Sequence, residues 1–255
     1  MKFAAINLLL AVLLAAAVAS VGAAGNTDGP QESDAYEFPV RPGTPEWRTL
    51  RTHNEKLQVC QVPEAVLTNM STYGLAQTCM EYPMLTEILL DICLQGGVDK
   101  VVSKFNGLQE LLRRPDVGIT LYHIYKSTDP LAIDPASPPF EQVSYSIRLA
   151  YLELFLAQDE SLASLVPKEL PKLLATCLEC WNAMSTRPKA YGRVTQEAIC
   201  LLMGRVLLQI PYEPFVERLQ GDSQLNTFLS PGCPSGGAYL DTIVESARRY
   251  LSREE

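Results

Sequence analysis

The 255-residue sequence has only two histidines, His53 and His123, and it lacks the short motifs by which many enzymes can be recognised. It contains no Gly-x-Ser-x-Gly elbow, no His-Glu-x-x-His helix, no phosphate-binding loop and no EF-hand loop. No stretch alternates apolar and polar residues long enough to make a convincing strand, and no Gly-rich turn follows an apolar strand, which leaves nothing to support a sheet-based fold. There is also no basic block or aromatic-basic ladder. With 21 basic against 29 acidic side chains and a formal net charge of −8, the surface repels phosphate backbones and anionic lipid, so nucleic acid is not expected as a partner. The acidity is read as a source of solubility.

What is present begins with an export signal. Lys2, an apolar run over residues 3–18 and small residues over 20–25 read as a secretory signal peptide, taken as residues 1–23, with cleavage between Ala19 and Ala24. The apolar run is almost long enough to span a bilayer, but its flanks argue against retention. Only Lys2 precedes it, and Asp28, Glu32 and Asp34 follow, whereas a retained helix usually has basic residues in a flanking cytoplasmic loop. The expected destination is the periplasm or the exterior, with no stable membrane anchor. Residues 24–44 are polar, contain Gly and Pro and show no apolar period, so they are expected to form a flexible leader.

Residues 45–255 read as a single all-α domain. Thr44-Pro45-Glu46 is an N-cap, a proline in the first helical position and an acid in the first turn. Pro63 opens a short helix. Ser71 caps the next one, whose stripe of Leu75, Cys79 and Tyr82 ends at Pro83. Residues 84–94 are apolar on several faces, which predicts a central buried helix ended by Gly96-Gly97. At Asn106-Gly107 a sharp corner in left-handed backbone is expected. A break at Pro115 separates two further helices. Helices are then predicted over 140–157, 168–184, 194–210, 215–219, 225–229 and 238–251. The four prolines at 130, 135, 138 and 139 make 128–139 the strongest internal breaker, where two lobes could meet. The architecture expected is an antiparallel multi-helix array, either an orthogonal bundle or a short α-solenoid; the absence of a fixed repeat weighs against the solenoid.

Part of the chain resembles a known pattern. Glu46-Trp47, Pro63-Glu64 with Leu67, Met70-Ser71-Thr72, Leu75, Cys79, Tyr82-Pro83 and residues 105–111 (Phe-Asn-Gly-Leu-Gln-Glu-Leu) are similar to a recurrent pattern in an uncharacterised family of exported bacterial proteins. The similarity covers mainly residues 44–125. Met203-Gly204-Arg205, Phe228-Leu229 and Ala247 resemble its later part. The resemblance implies an all-helical exported domain and brings no activity with it.

Seven cysteines, at 60, 79, 93, 177, 180, 200 and 233, allow at most three disulfides within the chain and leave at least one thiol outside them. Cys79, Cys93, Cys177 and Cys200 lie in apolar helical stretches, where a thiol serves as a small buried hydrophobe. Cys177 and Cys180 have the spacing of a redox pair. They fall in mid-helix rather than at a helix N-terminus, so they are read as core thiols or a structural disulfide. With no second Cys-x-x-Cys and no paired histidine, zinc is not expected. Asn69-Met70-Ser71 matches a glycosylation triplet, and Ser71 as a helix cap accounts for the serine.

No catalytic, cofactor-binding or metal-ligating residue is therefore singled out. The expected function is an exported, non-catalytic binding or scaffold module for a protein, peptide or glycan partner. The alternative is an exported hydrolase whose site is assembled from scattered carboxylates, such as Glu141 with Glu153 or Glu169 with Glu179, and one of the two histidines.

Overall fold

The computed structural model describes residues 33–234 and 238–253. The expected signal peptide, its expected cleavage site and residues 24–32 of the expected leader lie outside the described residues. Among those described there are fourteen α-helices, two short 3₁₀ helices and no strand. The N-terminal half contains α1 (Pro45–Thr49), α2 (His53–Val59), α3 (Glu64–Leu67), α4 (Thr72–Met80), the 3₁₀ helix Leu85–Leu90, α5 (Leu94–Lys104), α6 (Asn106–Arg113) and α7 (Val117–Ser127). The C-terminal half contains α8 (Pro139–Leu156), α9 (Asp159–Ala163), the 3₁₀ helix Pro167–Glu169, α10 (Leu170–Ser185), α11 (Arg193–Gln209), α12 (Glu213–Gly221), α13 (Ser223–Leu229) and α14 (Ala238–Leu251). No single described helix is long and apolar enough to cross a membrane.

Local chemistry sets many of the helix starts. Thr44 accepts from the Trp47 N–H at 3.2 Å with Pro45 behind it, and Ser71 accepts from the Gly74 N–H at 3.0 Å. Thr52 and Glu55 form a reciprocal capping box, which makes α1 and α2 two helices.

Two helices form the centre. Every residue of α8 from Leu149 to Leu156 is buried, and so is every residue of α11 from Glu197 to Gly204. A helix covered on all sides needs neighbours on all sides. For α8 these are α4, α5 and α7 from the first half and α9 and α11 from the second, while α11 is flanked in turn by α10, α13 and α14. The buried apolar side chains from Phe38 to Ala247 consequently form one cluster. The proline-rich segment 128–139 runs along this body. Tyr145 donates to the Asp129 carbonyl at 2.5 Å, the Gln142 amide donates to the carbonyls of Pro135 and Ser137, and Tyr191 and Arg187 donate to the carbonyls of Pro130 and Ile133.

A second tie joins the halves at one end. Cys93, just before α5, is disulfide-bonded to Cys233, 140 residues away, and the Leu94 N–H donates to the Gly232 carbonyl at 3.0 Å. The Arg205 guanidinium sits beside this tie. It donates to Gln95 Oε1 at 2.7 Å and to the carbonyls of Ala157, Leu229 and Ser230.

Three expectations are corrected. Residues 84–94 do not form a central α-helix: a 3₁₀ turn covers Leu85–Leu90, and Leu90 and Ile92 are exposed. Gly96 and Gly97 do not end a helix but lie inside α5, and position 97 needs glycine because a Cβ there would come within 2.1 Å of the Ile88 carbonyl oxygen. Gly107 is not a left-handed corner, since it lies in the first turn of α6 and is absent from the positive-φ glycines. Its constraint is steric, as a Cβ there would sit 2.3 Å from the Phe105 ring.

Gly107→Val therefore forces that ring out of its place against Tyr82, where the two rings stack at 3.9 Å. The expected loss is about 1–3 kcal/mol, read from unfolding midpoints; an unchanged midpoint would show that the ring has room to move.

Candidate functional site

The chemically unusual group in the core is Glu153. It is the one acid in the buried run of α8 and has 0% exposure. The Tyr125 hydroxyl of α7 donates to its Oε1 at 3.0 Å, and Oε2 has no hydrogen-bond partner. Burial pushes the carboxyl well above its ordinary value, against the smaller opposing effect of the Tyr125 bond. Burial favours the neutral form, because an ionised carboxylate here would lose its hydration without an ion-pair partner.

Three buried thiols feel its charge. Cys177 and Cys180 of α10 border the Tyr125 hydroxyl, and Cys200 of α11 lies within electrostatic reach of the carboxyl. Burial pushes all three thiols up, Cys180 to about 12, with Glu153 adding to the effect. A protonated thiol is a poor nucleophile and a poor metal ligand. Cys177 and Cys180 are thus two free core thiols, and no disulfide joins them. Cys60 and Cys79 are also free and buried, while Cys93, expected among the core thiols, is in the disulfide. Among the described residues no group of three or more His, Cys, Asp or Glu side chains is placed to hold a metal ion.

The histidines lie at the surface. His53 Nδ1 is 3.4 Å from Glu87 Oε1, and its Nε2 is 3.4 Å from the Lys104 ammonium, which is itself 3.8 Å from Glu87. The Cys60 thiol, which feels the Glu87 charge, is pushed up to about 12 by burial and by that charge, which is the wrong direction for a thiolate. His123 is exposed, its ring 6.2 Å from that of Tyr122.

The proposed carboxylate pairs do not meet. Glu141 is exposed while Glu153 is buried, and twelve residues of α8 put them roughly 18 Å apart along the axis. Glu169 is paired with Lys172 at 3.0 Å, and Glu179 is exposed nearly three helical turns further on.

Two surface features were not singled out from the sequence. The first is an exposed apolar pair, Leu90 at 52% and Ile92 at 82% exposure. Between them Asp91 accepts from the Cys93 N–H at 3.1 Å and pairs with Lys100, which fixes the turn that carries both side chains. The second is the end of the leader. Residues 33–38 lie on α4, contrary to the reading of all of 24–44 as a flexible leader. Asp34 accepts from the Ser71 N–H at 2.6 Å and from the Ser71 hydroxyl at 2.7 Å, the Tyr36 N–H donates to Thr78 Oγ1 at 2.8 Å, and Phe38 is 4% exposed. The Ser71 hydrogen bonds hold the Asp34 carboxyl below its ordinary value. The sequence signal was confined to Tyr36-Glu37-Phe38, two aromatics either side of an acid, too short to stand out as a period.

Glu153 has a measurable consequence. Above the ordinary value of 4.5 and below its raised folded value, the unfolded chain has released a proton that the native chain keeps, so stability falls as pH rises through that window. Glu153→Gln cannot ionise and removes this contribution. Relative to the parent it should gain about 1.4 kcal/mol per pH unit across the window, measured by denaturant unfolding from about pH 5 upward; parallel profiles for the two proteins would contradict the buried neutral acid.

Compared with protein-family models, with curated proteins and with solved structures, this chain has no match.

Proposed function

We propose that the protein is an exported, non-catalytic binding or scaffold module, a helical array with antiparallel neighbours that presents a fixed apolar surface to a protein, peptide or glycan partner. The observation that carries this reading is the Leu90–Ile92 turn. Leu90 at 52% and Ile92 at 82% exposure stand two residues apart on the surface, an apolar pair that contact with a partner would remove from water. These two are held in place by the Asp91–Lys100 pair on one side and the Cys93–Cys233 disulfide on the other. Pre-organisation of that kind lowers the entropy lost on association. By contrast, the free thiols are buried and protonated, which fits a core role better than turnover. The signal-like N-terminal sequence and the disulfide support the secreted or periplasmic location, and the acidic surface supports partners other than nucleic acid.

The test is capture from the exported fraction with the parent domain, with a Leu90→Asp/Ile92→Asp double variant, and with His53→Gln and His123→Gln. The double variant should weaken partner capture by tenfold or more, on the order of the transfer energy of two apolar side chains, while the histidine variants keep it. Capture that survives the double variant would remove the turn as the binding surface. A turnover present in the parent and lost in folded His53→Gln would favour the hydrolase.

A further inference from the structure

The docked end of the leader has the form of a bound peptide. Asp34, the Tyr36 amide and Phe38 each contact the body, while Glu37 is exposed. Each contact has a counterpart that other parts of the protein organise. Ser71 Oγ accepts from the Gly74 N–H and Thr78 Oγ1 donates to the Gly74 carbonyl, so the first turn of α4 is set whether or not the segment is present. Tyr82 and Phe105 stack on each other at 3.9 Å, and Phe38 adds to that pair with its centroid 6.1 Å from each ring. A notch matches the carboxylate: a Cβ on Gly74 would lie 1.9 Å from Asp34 Oδ1, so a side chain there is incompatible with the acid in this position.

What ties this segment to its own chain is slight. It continues through 39–43, with Pro39, Pro42 and a left-handed Gly43, into α1 and α2, which lean on the core through the half-buried Trp47 and Val59 but contribute no fully buried side chain. The contacts of 34–38 could therefore be made by another copy once residues 39–43 swing open as a hinge, which is how an element is exchanged between identical chains. We propose that the surface formed by the first turn of α4 and the Tyr82–Phe105 ring pair is a peptide-binding cleft that accepts residues 33–38 of a second copy of this chain in place of its own. The cleft is separate from the Leu90–Ile92 turn and stands whether or not that turn binds a partner.

In the parent the tethered segment competes at a high effective concentration, so weakening it should open the cleft. The probe is a fluorescent peptide of residues 33–39, followed by anisotropy. The full chain carrying Phe38→Ala should bind it saturably, at least about tenfold more tightly than the parent does. Adding Gly74→Ala to that chain, or replacing the aspartate of the peptide by alanine, should abolish binding. Asp34→Ala, an exposed position, gives a second opened chain if Phe38→Ala lowers the helical circular dichroism. No binding to a folded opened chain, or binding indifferent to Gly74→Ala, would overturn the cleft. A chain lacking residues 40–42, whose segment falls short of its own cleft, should sediment as a dimer and return to monomer with Phe38→Ala. If it stays monomeric, a second copy is overturned as the occupant.

Discussion

The structure depends on burying α8 on every side. Leu149 to Leu156 form two helical turns without a solvent face, and at roughly 1.5–3 kcal/mol for each large apolar side chain removed from water their cover is worth more than the net stability of a typical domain. No neighbour from one half of the chain can supply that cover alone. The first half contributes α4, α5 and α7 and the second contributes α9 and α11, so helices from both sides of 128–139 meet on α8. The clasp made by Arg205 and the Cys93–Cys233 disulfide follows from the same constraint, since it closes the end where α5 of one half meets the segment after α13 of the other. Glu153 is tolerated in this environment because Tyr125 reaches it and because it can remain neutral.

The helical class and most helix starts were legible from local chemistry. Thr44, Ser71 and the prolines at 45, 63, 83 and 115 act within one turn of themselves, so the sequence shows their effect directly. What failed depended on neighbours distant in the chain. Gly97 was read as a helix stop when it is a place where Ile88 backbone comes close, and Gly107 was read as a left-handed corner when it makes room for Phe105. The apolar run 84–94 was read as buried because hydrophobicity alone does not tell a core helix from an exposed turn held by an ion pair and a disulfide. Pairing of Cys93 with Cys233 across 140 residues has no local signature.

The functional surfaces were the least legible part. Leu90 and Ile92 were hidden inside a stretch expected to be core, and Asp34, Tyr36 and Phe38 inside a stretch expected to be loose. In both places the residue types were visible, and what was missing was the partner: Lys100 for the turn, Ser71 and Thr78 for the leader. The reactive groups show the reverse pattern. Cysteines and acids drew notice by type, and the fold places the thiols in environments that keep them protonated.

Native-state hydrogen exchange tests the central claim, that both halves fold as one unit around α8. The amides of α8 from Leu149 to Leu156, of α11 from Glu197 to Gly204, and of the core-facing turns of α7 and α14 should share one opening free energy equal to that of global unfolding. Two separate values, with α4 to α7 opening at lower denaturant while α10, α11 and α14 stay protected, would contradict it and would make 128–139 a boundary between independent lobes.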